Sequence, residues 1–180
     1  GAVTEMLGDA RTLDLVDRAL GASSLSPDYE AELRLMRGSI LLDSGACEAA
    51  IAELDMVLEL TPDDDEALAK RGLAFLCLDQ YENAGRDLNA ALALDTESFW
   101  GRFGRGWLYF RVGRLSAAEQ DFDVVTRVAP ESVLGYWARG YVRLTNRKYE
   151  DAIFDFDRAL QLGSGFSSGH MLRGYAFLGI

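Results

Sequence analysis

Few side chains in this sequence could carry covalent chemistry. There is one histidine, His170, and there are two cysteines, Cys47 and Cys77. A cysteine nucleophile needs a base within hydrogen-bond reach and a third group to orient that base. The spacing of these three residues supports no such triad. The cysteines lack the close pairing of a zinc site and imply no disulfide framework, so they are expected to remain unlinked. Carboxylates are plentiful, and Asp63-Asp64-Asp65-Glu66 first suggests a cation site. The run lacks the alternating ligands and turn glycine of a calcium loop. It reads instead as the acidic start of a helix, where negative charge complements the helix dipole. No phosphate loop, dinucleotide fingerprint or zinc motif is present. The expectation is a chain that is not an enzyme, with no catalytic residues, no metal and no cofactor.

The charged residues do show order of another kind. Arg-Gly occurs at Arg37-Gly38, Arg71-Gly72, Arg105-Gly106, Arg139-Gly140 and Arg173-Gly174, always 34 residues apart. Other columns keep the same step: Ala50, Ala84, Ala118 and Ala152; Leu54, Leu88, Phe122 and Phe156; Val57, Ala91, Val125 and Ala159. Acids recur in a column at Glu53, Asp87, Asp121 and Asp155, and in another at Asp55, Asp123 and Asp157, with Asn89 between them. Several columns at one period indicate an internal repeat.

These residues resemble the tetratricopeptide repeat, a helix-turn-helix unit of 34 residues. The resemblance covers nearly the whole chain and implies an all-α, right-handed superhelical solenoid. In that pattern the glycine and alanine columns let two helices pack closely, and the Leu/Phe column fills the space between them. Pro62 and Pro130 stand where the family often has proline after the second helix, with Thr96 and Ser164 in the other two repeats. The aromatic expected at the fourth position is mostly replaced, by Arg34, Leu68, Arg102, Tyr136 and His170. His170 is thereby expected near the packing face of a terminal helix.

The chain divides as a single array over 1–180, with full repeats at 31–64, 65–98, 99–132 and 133–166. A half-repeat helix is expected at 9–22, where Leu13, Val16, Ala19 and Leu20 follow helical spacing, and another at 167–180. Ser23 to Pro27 reads as a turn, and Ser26-Pro27 as a helix start. Gly45, Asp79, Gly113 and Arg147 occupy the turn within each repeat, and Gly163-Ser164-Gly165 is the most flexible junction expected. Half-repeats at both ends, with no polar cap after Leu178, favour an excised fragment of a longer solenoid.

Composition narrows the partners. The net charge is −11, which disfavours a general nucleic-acid or anionic-membrane binder. No apolar run has transmembrane length, and no signal peptide is visible. Hydrophobic content of 49% suffices for a stacked core.

The family register assigns the helix faces. It places the second, fifth, ninth and twelfth residues of each first helix on a concave groove. In the third repeat these are Trp100, Phe103, Trp107 and Phe110. The fourth repeat adds Leu134, Trp137, Tyr141 and Leu144, and the last half-repeat adds Ser168, Met171, Tyr175 and Leu178. The earlier repeats are less aromatic, with Glu32, Leu35, Ser39 and Leu42, then Glu66, Ala69, Leu73 and Leu76. An aromatic groove of this kind would bind an apolar peptide or protein segment, with Glu32, Asp43 and Glu66 favouring basic residues at the other end. Two other readings stand beside it: a missing segment of the protein fills the groove, or the rings are plain core. The chaperone-tail clamp of this family needs Lys and Asn at the fifth and ninth positions. Leu35, Ala69, Phe103, Trp137 and Met171, then Ser39, Leu73, Trp107, Tyr141 and Tyr175, stand there instead.

The recurring arginines Arg37, Arg71, Arg105, Arg139 and Arg173 are expected to pair with acids on second helices of their own or the preceding repeat, since a buried guanidinium requires a partner. The alternative use, binding phosphate or an acidic ligand, requires them exposed. The leading expectation for function is a non-catalytic protein-interaction module. The alternatives are a structural scaffold or homo-oligomerisation segment, or a targeting or regulatory domain of a larger protein.

Overall fold

The structure is a computed structural model that describes the backbone of residues 2–21, 24–163 and 167–179, and the side chains of 11–21, 24–163 and 169–179. Part of the expected turn at Ser23, the Ser164-Gly165 junction and the side chain of Ser168 lie outside the described residues. Ten helices account for the described secondary structure: α1 (Ala2–Leu20), α2 (Pro27–Asp43), α3 (Cys47–Leu60), α4 (Asp65–Cys77), α5 (Tyr81–Leu94), α6 (Phe99–Arg111), α7 (Leu115–Val128), α8 (Val133–Thr145), α9 (Tyr149–Leu162) and α10 (Ser167–Gly179). α1 begins well before Asp9, the start expected from periodicity.

Local chemistry sets the helix limits. Ser26 caps α2 by accepting from the Tyr29 N–H, and Pro27 takes the first turn, where its missing donor costs nothing. Asp64 caps α4, accepting from the Ala67 N–H at 2.8 Å, so the acidic run does lie at a helix start. Between paired helices the chain turns through a left-handed residue each time: Gly45 at φ 80°, Asp79 at 58°, Gly113 at 77° and Arg147 at 60°.

The chain divides into an N-terminal unit, Gly1–Gly104, and a C-terminal unit, Arg105–Ile180, the boundary falling within α6. In the N-terminal unit α1 packs on α2, α2 on α3, α3 on α4, and α4 on α5, while α2 also meets α4. In the C-terminal unit α7 packs on α8, α8 on α9, and α9 on α10, with α8 also meeting α10. In both units the alanine, Leu/Phe and Val/Ala columns of the second helices are wholly buried. Full burial of each Leu or Phe stabilises by about 1.5–3 kcal/mol relative to exposure.

The glycine column exists because those side chains reach the opposite backbone. A Cβ added at Gly72 would come 2.7 Å from Leu88 Cγ, at Gly106 2.8 Å from the Phe122 ring, and at Gly140 2.9 Å from the Phe156 ring. Such distances lie inside van der Waals contact, so the helices can approach this closely only without a Cβ.

Two expectations are corrected. Cys47 and Cys77 form a disulfide, with Cα atoms 6.3 Å apart. Stacking of α4 on α3 brings the start of one helix beside the end of the other, and the Cα distance falls in the range a disulfide spans. A separation of 30 residues in sequence gives no hint of this. His170 is exposed rather than packed, because its face of α10 is uncovered among the described residues.

Candidate protein-interaction surface

Aromatic residues of α6 make ring contacts in each unit. In the N-terminal unit, Phe99 stacks on Phe103 with centroids 5.9 Å apart and planes at 7°, and Trp100 meets both edge-on. Lys70, itself nearly buried, holds its Nζ 4.3 Å from the Trp100 ring centroid and 3.4 Å from Glu66. A cation over an indole face is attracted by the ring quadrupole, strongly so where water is excluded. Phe103, expected on an open groove, is buried. Of the earlier groove positions, Ala69 and Leu76 are buried, while Leu35 lines a depression with Pro62, Asp63, Asp64, Asp65 and Glu66.

In the C-terminal unit the rings form one tier. Trp107 meets Phe110 at 5.6 Å, Trp137 at 5.5 Å, Tyr141 at 6.0 Å and the buried Phe122 at 5.4 Å. Phe110 and Trp137 each pack on Tyr141 as well. Trp107, Phe110, Trp137 and Tyr141 are half-buried, so each ring is core on one side and surface on the other. Trp137 and Tyr141 also rest on the buried cluster of Ala152, Phe156, Leu172 and Ala176. Beside this tier, α8 exposes Leu134, and α10 exposes Met171 and Tyr175, each 55% accessible.

Ion pairs hold the helices that carry these rings. Arg37 bonds Glu53 and Asp17. Arg71 forks onto Asp87 at 2.6 and 3.1 Å and reaches Asp55 at 2.6 Å. Arg105 forks onto Asp121 at 2.8 Å through both contacts. Arg139 forks onto Asp155 and reaches Asp123, and Arg173 bonds Asp157 at 2.7 Å. The forked carboxylates of Asp87 and Asp121 hold Arg71 and Arg105 above the usual guanidinium range. Complete burial pushes the Asp155 carboxyl up, with Arg139 and Arg143 pulling against it.

Sequence reasoning missed a further knot in this unit. Glu119, nearly buried, accepts from Arg143 Nε at 2.9 Å and from Lys148 Nζ at 2.7 Å, while Arg143 also bonds Asp155 at 2.8 Å. Burial works to raise the Glu119 carboxyl, but the bonds from Lys148 and Arg143 outweigh it and hold it below the ordinary range. A signal was present: Arg143 breaks the column of Leu41, Phe75 and Tyr109 at the same repeat position. Phe99 and Lys70 were also missed, and only packing reveals them.

Helices paired through short left-handed turns, with a 34-residue step between equivalent contacts, define a helical-repeat protein. The model of the tetratricopeptide repeat matches residues 35–99 and 103–165, more than half of the chain, and the chain belongs to that family. Its fold is similar to that of a thermophilic TPR protein from Thermus thermophilus, with a TM-score of 0.80 at 17% identity over 97% of this chain and 95% of that one. It is also similar to pilF of Pseudomonas aeruginosa (TM-score 0.74, 21% identity, 84% and 69% coverage). A third similar structure is YrrB, described as a TPR protein with an unusual peptide-binding site (TM-score 0.58, 20% identity, 97% and 86% coverage). The family is in general a non-catalytic protein-interaction scaffold. No helix among the described residues is long and apolar enough to cross a membrane.

Proposed function

We propose that this chain is a binding module whose C-terminal unit receives an apolar protein segment on the tier of Trp107, Phe110, Trp137 and Tyr141. The observation that carries this reading is the half-exposure of four mutually packed rings beside the exposed Leu134, Met171 and Tyr175. Rings already ordered by one another lose little side-chain entropy on binding, and Trp and Tyr supply large contact area. A peptide-binding TPR protein among the similar folds is consistent with this use. In the N-terminal unit, Trp100 lies under Lys70, and the acidic depression at Asp63–Glu66 suits basic residues of a partner.

The rings also support the fold, so the test avoids them. Met171→Ser and Tyr175→Ser remove exposed apolar surface without opening the core. Selection of displayed peptides against the folded chain is expected to enrich aromatic and branched apolar sequences. The double variant, matched by circular dichroism, is expected to bind them at least tenfold more weakly, read by the tryptophan emission of the chain. Equal binding by both forms would reject this surface. Concentration-dependent sedimentation of the chain alone, abolished by the same double variant, would assign the surface to self-assembly instead.

A further inference from the structure

The disulfide joins Cys47, the first residue of α3, to Cys77, the last residue of α4. The two helices are therefore antiparallel and tied at both ends, by residues 61–64 at one and by the disulfide at the other. The tie crosses from one repeat to the next. Away from it the pair is held by the buried cluster of Ala31, Leu54, Val57 and Ala67. Nearer to it Ala50, Ala74 and Leu76 are also buried, so the helices stay packed when the link opens. The two sulfurs are not equivalent. Cys47 is 1% accessible, whereas Cys77 is exposed. A thiolate arriving from solvent thus reaches Cys77 Sγ, and access is one of the factors that set exchange rates. Cys47 also stands in the first turn of α3, whose N-cap residue, Ala46, supplies no side-chain bond. The free N–H groups and the dipole of that turn stabilise a thiolate leaving there, while Cys77 faces the opposite pole of α4. Burial opposes charge on Cys47, so access to Cys77 is the deciding factor.

We propose that the Cys47–Cys77 link is a thiol-exchange site whose reagent is a dithiol carried on an uncharged or basic surface. The first thiolate of the reagent attacks Cys77 Sγ. A new S–S bond forms there, the Cys47–Cys77 bond breaks, and its electron pair leaves on Cys47 Sγ, which takes a proton from water. The second thiolate then attacks the reagent's own sulfur in the mixed disulfide, and Cys77 leaves as the thiolate. The reagent is oxidised to its disulfide, and the chain gains two electrons. Charge selects the reagent. Residues 43–48 and 77–82, which flank the link, contain Asp43, Glu48, Asp79 and Glu82 and no Lys or Arg. All four acids are exposed. An anionic thiol is repelled from such a surface, and salt screens the repulsion. Opening the link leaves residues 61–64 as the covalent tie between α3 and α4 and frees the other end of the pair. The redox state thereby sets how firmly these two repeats are held together.

Small thiols of similar size and different charge test this: cysteamine, 2-mercaptoethanol and 2-mercaptoethanesulfonate, with rates compared per thiolate. After an acid quench, peptide mass spectrometry locates the adduct. It is expected on Cys77 at least tenfold more often than on Cys47. Cysteamine is expected to react at least tenfold faster than the sulfonate, and high salt is expected to narrow the ratio. Glu48→Gln combined with Asp79→Asn is expected to speed the sulfonate selectively. Reduction by dithiothreitol is expected to accelerate amide hydrogen exchange at residues 47–50 and 74–77 at least tenfold, with the circular dichroism unchanged. Free thiols in the chain isolated without reductant, adducts mainly on Cys47, or reduction only after unfolding would each overturn the exchange site. Equal rates for the three thiols would overturn the choice of reagent. Amide exchange indifferent to reduction would overturn the loosening of the helix pair.

Discussion

A glycine in a helix costs roughly 0.5–1 kcal/mol relative to alanine, so its recurrence must be offset by packing. The five column glycines therefore separate into two groups. Gly72→Ala and Gly106→Ala place a methyl against Leu88 and the Phe122 ring, and each is expected to destabilise by about 1–3 kcal/mol. Gly174→Ala meets open space and is expected to stabilise by up to about 1 kcal/mol. Urea denaturation of the three variants checks both signs; destabilisation by Gly174→Ala would show that its surroundings are occupied. Glu119 gives a pH prediction at the same scale. Its carboxyl is held below the ordinary range in the fold, so its contribution is fully present above the unfolded value, about pH 4.3, and fades as pH falls through the folded value. Asp155, pushed up by burial, acts in the opposite sense over its own window. Glu119→Gln is expected to lower the melting temperature at pH 7 and to reduce the fall in stability between pH 5 and pH 3. An unchanged acid limb would remove Glu119 from the linkage.

At the scale of elements, the helix pairs depend on turns that need a left-handed residue. Gly45 and Gly113 adopt it without cost, whereas Arg147 holds φ 60° with a side chain attached. A non-glycine residue in this region costs about 1–2 kcal/mol, part of which glycine returns through greater freedom when unfolded. Arg147→Gly is expected to stabilise the chain by up to about 1 kcal/mol, read as a rise in thermal midpoint. A fall would mean that the arginine makes compensating contacts in the folded state. The repeat columns predicted these turns because Asp79 and Arg147 stand where the other repeats have glycine. They could not predict the Cys47–Cys77 link, which joins two different repeats through the stacking of α3 and α4. Exposure along the column that the register assigns to the groove is uneven. The fifth position of the third repeat, Phe103, is buried, whereas the same position in the last helix, Met171, is exposed.

At the scale of the molecule, an array of short repeats builds stability from contacts between neighbouring helices, and local pattern therefore carries much of the fold. The 34-residue spacing, the glycine and alanine columns and the alternating turns were sufficient to determine an all-α array of tetratricopeptide repeats. They were sufficient because each column records a contact made again at the same distance along the chain. Tertiary structure alone decided the features that occur once. The tier around Trp107, the knot of Glu119 with Arg143 and Lys148, and the disulfide each depend on which helices lie against which. A periodic pattern states what every repeat shares; burial, charge pairing and exposure at a single place are set by the particular neighbours that packing brings there.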